Sequence, residues 1–80
     1  MTLDYRFLVY PDGDTQEAAI PLSINDLVDL NGYPITTPLP THRVIVYRVY
    51  KIRRQEERGE DRTFYHLELV GGDELRSLVR

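Results

Sequence analysis

His42 and His66 are the two side chains of this sequence best suited to proton transfer or metal binding. Glu68 stands two residues after His66, and an alternating strand would place both side chains on one face. A zinc site needs three or four ligands, and no other residue has metal-ligand spacing with this pair. No nucleophile stands near His66 in the sequence to complete an acid–base site. The sequence therefore predicts no catalytic residue, metal site or cofactor, and indicates that the protein is not an enzyme.

A second candidate site is the acidic turn at Asp12, Gly13 and Asp14. An EF-hand calcium loop has its glycine at the sixth position and a glutamate at the twelfth, and the glycine here comes too early. Glycine-rich loops of the dinucleotide-binding or P-loop type are also absent from the sequence. The pattern favours a solvent-facing turn.

The most distinctive segment is residues 43 to 54, RVIVYRVYKIRR, with five positive charges in a chain of formal net charge -3. Aromatic rings beside arginine and lysine are how single-strand nucleic-acid binders stack bases and neutralise phosphates. The sequence pI near 5.2 argues against that function. The alternative is that the bases keep an aggregation-prone strand in solution.

Length and composition limit the number of domains and the classes of protein that the sequence can belong to. Eighty residues with 41% hydrophobic and 29% charged side chains are typical of one small globular domain, residues 1 to 80. Cysteine is absent, so disulfides and thiolate sites are excluded. No run of 18 apolar residues occurs, and the first residues do not resemble a secretory signal. We expect a cytoplasmic protein without a membrane span.

In the first half, a period-two pattern over residues 3 to 10 sets Leu3, Tyr5, Phe7 and Val9 against Asp4, Arg6, Leu8 and Tyr10. It predicts a strand with one face inward that ends at the turn-forming Pro11. Residues 15 to 20 are compatible with a returning strand or one helical turn, and we favour the strand. Ser23 with Asp26 resembles a capping box, so a helix is predicted over residues 24 to 30, with Gly32 beyond its end. The proline-rich residues 33 to 42 are expected to form an extended crossing loop.

In the second half, residues 43 to 54 are predicted to pair with residues 62 to 70 in a long antiparallel hairpin. Placing Val49 opposite Leu67 also places Arg48 opposite Glu68, which cross-strand energetics favour. The same regular register sets Lys51 opposite Tyr65. It predicts a core face with these residues: Ile45, Tyr47, Val49, Tyr65, Leu67 and Leu69. A short helix should follow Asp73.

The predicted fold is α+β: a mainly antiparallel four-stranded sheet of order ββαββα, with one or two short helices. The hairpin face opposite the core would expose a mixed aromatic and basic patch unless the terminal helix covers it. Such a patch favours a protein–protein interaction or self-association module, including a homodimer. A weak nucleic-acid-binding module is the alternative. The partner-binding residues predicted on the hairpin are Arg48, Tyr50, Ile52, Arg54, Phe64 and His66.

Overall fold

The computed structural model describes residues 3–36 and 44–78. These residues form five strands and one short helix. Their bounds are β1 Leu3–Val9, β2 Thr15–Glu17, β3 Leu27–Val28, β4 Tyr47–Glu57, β5 Glu60–Leu69 and α1 Gly72–Leu78.

All five strands belong to one mixed sheet of order β2-β1-β5-β4-β3. Neighbouring strands are antiparallel except β1 and β5, which run parallel with Phe7 beside Phe64. The sheet curves into a half-barrel, and α1 is the one helix of the described residues. The predicted ββαββα arrangement with four mainly antiparallel strands is therefore wrong. It lacked β3 and the parallel pairing that joins the two ends of the sequence.

The β1–β2 hairpin forms as the turn chemistry predicts. The Tyr10 N–H donates to the Asp14 carbonyl at 2.9 Å, and the Gly13 N–H donates to the Tyr10 carbonyl at 2.9 Å. Gly13 has a φ of 95°, a backbone conformation in which glycine carries no steric cost. Of residues 15 to 20, Thr15–Glu17 is a strand, so the prediction of a strand is confirmed there.

The helix predicted over residues 24 to 30 is wrong, although its capping signal is used. The Ser23 N–H donates to Asp26 Oδ2 at 2.8 Å, as a capping box requires, but Asn25 has a φ of 73° and the chain turns instead of winding. The Asn25 N–H donates to the Val49 carbonyl at 2.8 Å. Bonds to β4 thus replace those of a helix too short to be stable alone. The chain continues directly into β3.

The predicted hairpin is confirmed in its first half and corrected in its second. Val49 lies opposite Leu67 and Arg48 opposite Glu68, but Lys51 pairs with His66 rather than with Tyr65. A β-bulge between Val49 and Lys51 leaves Tyr50 as the extra residue. Side chains alternate along a strand, so every β4 residue after the bulge lies on the sheet face opposite to the one that a regular ladder predicts.

The inner face of the sheet carries the main core. The segment after β2 crosses this face and contributes Ala18 and Leu22. Of the predicted core face, Val49, Tyr65 and Leu67 are buried, whereas Ile45 and Leu69 are exposed, which corrects that prediction at the strand ends. The buried members of this core are Leu8, Ala18, Leu22, Val28, Val49, Tyr65 and Leu67.

A second, smaller cluster lies on the outer face at the far end of the hairpin. Val46 and Val70 are buried there beneath Leu75 of α1, with Leu78 packed against them. The Val70 N–H donates to the Val46 carbonyl at 2.9 Å. The predicted terminal helix is thus confirmed, and it covers one end of the outer face.

Of the predicted crossing loop, residues 33 to 42, residues 37 to 42 lie outside the described residues. His42 is among them, and Arg43 also lies outside. Within residues 3–36 and 44–78, no helix has the length and apolar character needed to cross a membrane.

Candidate interaction surface

The outer face beyond the reach of α1 carries a group of aromatic side chains. β1, β5 and β4 lie side by side here, so that residues distant in sequence become neighbours. Tyr5 and Tyr50 are 38% and 51% exposed, whereas the rings between them are half-buried. We call this group the outer aromatic surface, formed by Tyr5, Phe7, Tyr50, Arg53, Phe64 and His66.

The parallel pairing of β1 with β5 sets the geometry of its centre. Phe7 and Phe64 are register partners, and their ring centroids lie 5.4 Å apart with planes inclined by 22°. Tyr5 follows at 6.5 Å from Phe7. Arg53, which pairs with Phe64 across the hairpin, places its guanidinium carbon 5.3 Å from the Phe64 ring centroid. Stacked rings and a cation–π contact hold these side chains in place.

His66 occupies the side of the surface nearest α1. Its ring centroid lies 6.3 Å from that of Tyr50. The Nε2 atom is buried and has no hydrogen-bond partner among the described residues. Burial, reinforced by the positive charges of Arg53 and Lys51, lowers the pKa of His66 below its usual 6.5. The imidazole is therefore neutral at physiological pH.

Arg48, also on the outer face, is held by two acids. Its guanidinium donates to Glu68 Oε1 from Nε at 2.9 Å and pairs with Glu74 of α1. These hydrogen bonds raise the pKa of Arg48 above its ordinary value. The side chain fixes α1 to the sheet, so its charge is neutralised rather than presented outward.

The charge that remains on the outer aromatic surface is positive. Arg62 is paired with Glu60 at 2.7 Å and lies 3.8 Å from Glu57. Among the described residues, no acid forms an ion pair with Lys51 or Arg53. A shallow groove of about 420 Å³ runs beside the rings of Tyr5, Phe7 and Phe64. The surface thus offers apolar rings, a groove and the cation Arg53, and a second cation, Lys51, lies beside it.

The structure brings together half of the residues predicted from the hairpin. Tyr50, Phe64 and His66 share the outer aromatic surface. Ile52 packs against the inner core and pairs with Tyr65, so its predicted position on the outer face is wrong. Arg54 is likewise on the inner face, where it lines a cavity with Leu22. The bulge at Tyr50 is the cause of both displacements.

Three residues of the surface were missed. Tyr5 and Phe7 come from β1, and no local pattern indicates that this strand lies beside β5. Arg53 was predicted only as one of the bases of residues 43 to 54, and its place opposite Phe64 follows from the bulge, which a regular ladder lacks. The period-two pattern of β1 groups Tyr5 with Phe7 on one face, but it does not show that this face is the outer one, because the residue buried in the core is Leu8 on the other face.

No set of three or more histidine, aspartate or glutamate side chains within residues 3–36 and 44–78 could hold a metal ion. The pair of His66 and Glu68 does not converge with a third ligand there. Near His66, the described groups are an aromatic ring and two cations.

Fold and surface together define a small, strand-rich domain with an open aromatic face. The chain belongs to the family described as Uncharacterised Treponema protein, whose model matches residues 2–78. No curated protein and no solved structure matches the chain.

Proposed function

We propose that the protein is a non-enzymatic protein–protein interaction module that binds another protein through the outer aromatic surface. The observation that carries the proposal is the partial cover of the outer face. α1 buries Val46 and Val70 at one end, whereas the rings of Tyr5 and Tyr50 remain open at the other. Aromatic and arginine side chains are the residues that most often dominate binding energy at interfaces.

The charge of the surface selects the chemistry of the partner. Lys51 and Arg53 stand beside the rings without an acidic partner among the described side chains. A matching protein segment would carry an aromatic or aliphatic anchor for the groove and at least one carboxylate for these cations. The cytoplasmic location inferred from composition remains part of this proposal.

The direct test compares three immobilised proteins in capture from the native host: the wild type, Tyr5→Ala/Tyr50→Ala, and Tyr33→Ala. Tyr33 is 59% exposed and is not part of the outer aromatic surface, so its variant is the matched control. A protein retained by the wild type and the control, then purified, should bind the double variant about tenfold or more weakly in a titration, as expected for two interface tyrosines. Equal affinity for all three proteins, or no captured protein, would overturn the proposal.

Single-stranded nucleic acid is the second candidate ligand. The Phe7–Phe64 stack beside Arg53 and Lys51 has the ring and cation chemistry that bases and phosphates need. Titration with single-stranded RNA and DNA at two salt concentrations separates it from a protein partner. Binding that weakens with salt and is lost in Tyr5→Ala/Tyr50→Ala would identify nucleic acid as the ligand, and absence of binding would eliminate it.

A further inference from the structure

Among residues 3–36 and 44–78, the edge of β4 that faces β3 is unpaired along much of its length. β4 has 11 residues, and β3 pairs only with Tyr47 and Arg48. One further pair of bonds follows: the Asn25 N–H donates to the Val49 carbonyl at 2.8 Å, and the Val49 N–H donates to the Asp26 carbonyl at 3.0 Å. Beyond Val49, no described residue pairs with β4 on this side. Unpaired strand edges are sites at which another strand adds.

The hairpin geometry identifies the backbone groups at this edge. The turn at Arg58 and Gly59 makes Glu57 and Glu60 the pair that closes the hairpin. Alternate β4 residues counted back from Glu57 therefore direct their backbone N–H and C=O groups to β5. The residues between them direct theirs to the open edge, namely Ile52, Arg54 and Glu56.

The charges along this stretch are complementary to those of the same stretch read in reverse. Residues 53 to 57 read Arg-Arg-Gln-Glu-Glu, two bases and two acids around a central Gln55. All five are exposed. Arg54 and Glu56 form no ion pair with another described residue. A strand that is its own charge complement when reversed fits a second copy of itself.

We propose that β4 pairs antiparallel with β4 of a second copy of this chain across a two-fold axis at Gln55. Arg54 then lies opposite Glu56 of the second copy, and Arg53 opposite its Glu57. Arg54 and Glu56 are also the residues whose backbone groups face outward, so charge pairing and hydrogen bonding select the same register. The second copy's turn ends opposite Lys51 and Ile52, before the bonds that occupy Val49.

Neighbouring registers are disfavoured by charge. An axis at Arg54 places two arginines opposite each other, and an axis at Glu56 places two glutamates opposite each other. Like charges directly opposite each other are destabilising, so the register with its axis at Gln55 is favoured over these two neighbours. A charged edge that only prevented aggregation would not need this symmetry. The dimer would hold both outer aromatic surfaces on the same side of one continuous sheet.

The test uses Arg54→Glu and Glu56→Arg, first separately and then mixed. Sedimentation equilibrium of the wild type should show a concentration-dependent dimer. Each variant alone sets like charges opposite each other at two symmetric positions and should dissociate about tenfold or more readily. An equimolar mixture restores opposite charges in a heterodimer and should regain the wild-type affinity. Arg76→Glu, which changes the net charge by the same amount as Arg54→Glu but at an exposed position of α1, is the control and should dimerise normally.

A strictly monomeric wild type, variants that dimerise like the wild type, or a mixture that stays monomeric would each overturn the proposal. Circular dichroism of each variant checks that the fold is retained, which the exposure of both positions leads us to expect. A monomeric wild type that still captures a partner through Tyr5 and Tyr50 would contradict only the β4 pairing and leave the proposed function standing.

Discussion

At the scale of single residues, Gly32 shows how one position joins the turn after β3 to the core. Its φ is 86°, and a Cβ there would overlap Leu8 Cδ1. Leu8 is fully buried, so it has little room to move. Around it, the Gln16 side-chain amide donates to the Asn31 carbonyl at 2.7 Å, which ties β2 to the same turn. The turn is therefore a packing element as well as a connection.

Gly32→Ala should lower the free energy of unfolding by about 2 to 4 kcal/mol, because it combines a left-handed backbone with overpacking. Gly13→Ala is the matched control: Gly13 has a φ of 95° but open space around it, so the loss should be about 1 kcal/mol. Urea denaturation of both variants measures the difference. Equal losses would show that the contact with Leu8 has no energetic weight.

His66 gives a pH-dependent prediction. Burial and two cations lower its pKa in the folded state below 6.5, so the unfolded chain binds the proton more readily. Well above pH 6.5, protonation of His66 makes no contribution to the free energy of unfolding. As the pH falls through 6.5 toward the folded-state pKa, the proton bound by the unfolded chain lowers this free energy. His66→Phe should remove this part of the pH dependence in urea denaturation between pH 7.5 and 5.5. His42→Gln is the control and should retain it, and identical profiles for all three proteins would contradict the account.

The sequence predicts correctly the features of single residues that local chemistry determines. The turn at Gly13, the ion pair of Arg48 with Glu68 and the burial of Val49 all follow from spacing and turn residues. The second partner of Arg48, Glu74, depends on how α1 docks, and no local pattern contains that information.

At the scale of elements, the bulge at Tyr50 decides which side chains form the surface. The inner face after the bulge needs Ile52 beside Tyr65, and a regular ladder would put Lys51 there instead. Burying an apolar side chain in place of a lysine favours the bulged register. The predicted register failed because pairing energies along one hairpin do not reveal what the rest of the chain packs against it.

Two deletions test this explanation. Removing Tyr50 leaves every ladder pair on both sides intact and should cost at most about 1 kcal/mol, since it loses only a half-exposed ring and its contact with His66. Removing Gln55 also straightens the strand, but it slides residues 50 to 54 by one position and turns Lys51 inward. That change should cost about 2 kcal/mol or more. Urea denaturation compares them, and a Tyr50 deletion that is the more damaging would contradict the role assigned to the bulge.

The absent helix over residues 24 to 30 has the same kind of cause. The hydrogen bond that the capping signal predicts, from the Ser23 N–H to Asp26 Oδ2, is present. A short segment has little helical stability of its own, so the edge of β4 determined its structure through the Val49 bonds. Sequence patterns indicate which local bonds are available, whereas distant strands determine which are used.

At the scale of the whole molecule, the decisive feature is the parallel pairing of β1 with β5. It closes the sheet between the two halves of the sequence and brings Tyr5 and Phe7 beside Phe64. Without it, the hairpin would present only part of the outer aromatic surface. The two halves of the sequence also differ in charge: residues 1 to 41 carry six acids and one base, whereas residues 42 to 80 carry nine bases and seven acids.

A nuclear Overhauser spectrum of the aromatic side chains tests this arrangement most directly. We expect cross-peaks from Phe64 to Phe7 and to Arg53, because the ring centroids of Phe64 and Phe7 lie 5.4 Å apart and the Arg53 guanidinium carbon lies 5.3 Å from the Phe64 ring centroid. Cross-peaks that instead join Phe64 to Ile52 and Tyr65 to Lys51, with none to Phe7, would contradict both the parallel strand and the bulge, and with them the outer aromatic surface.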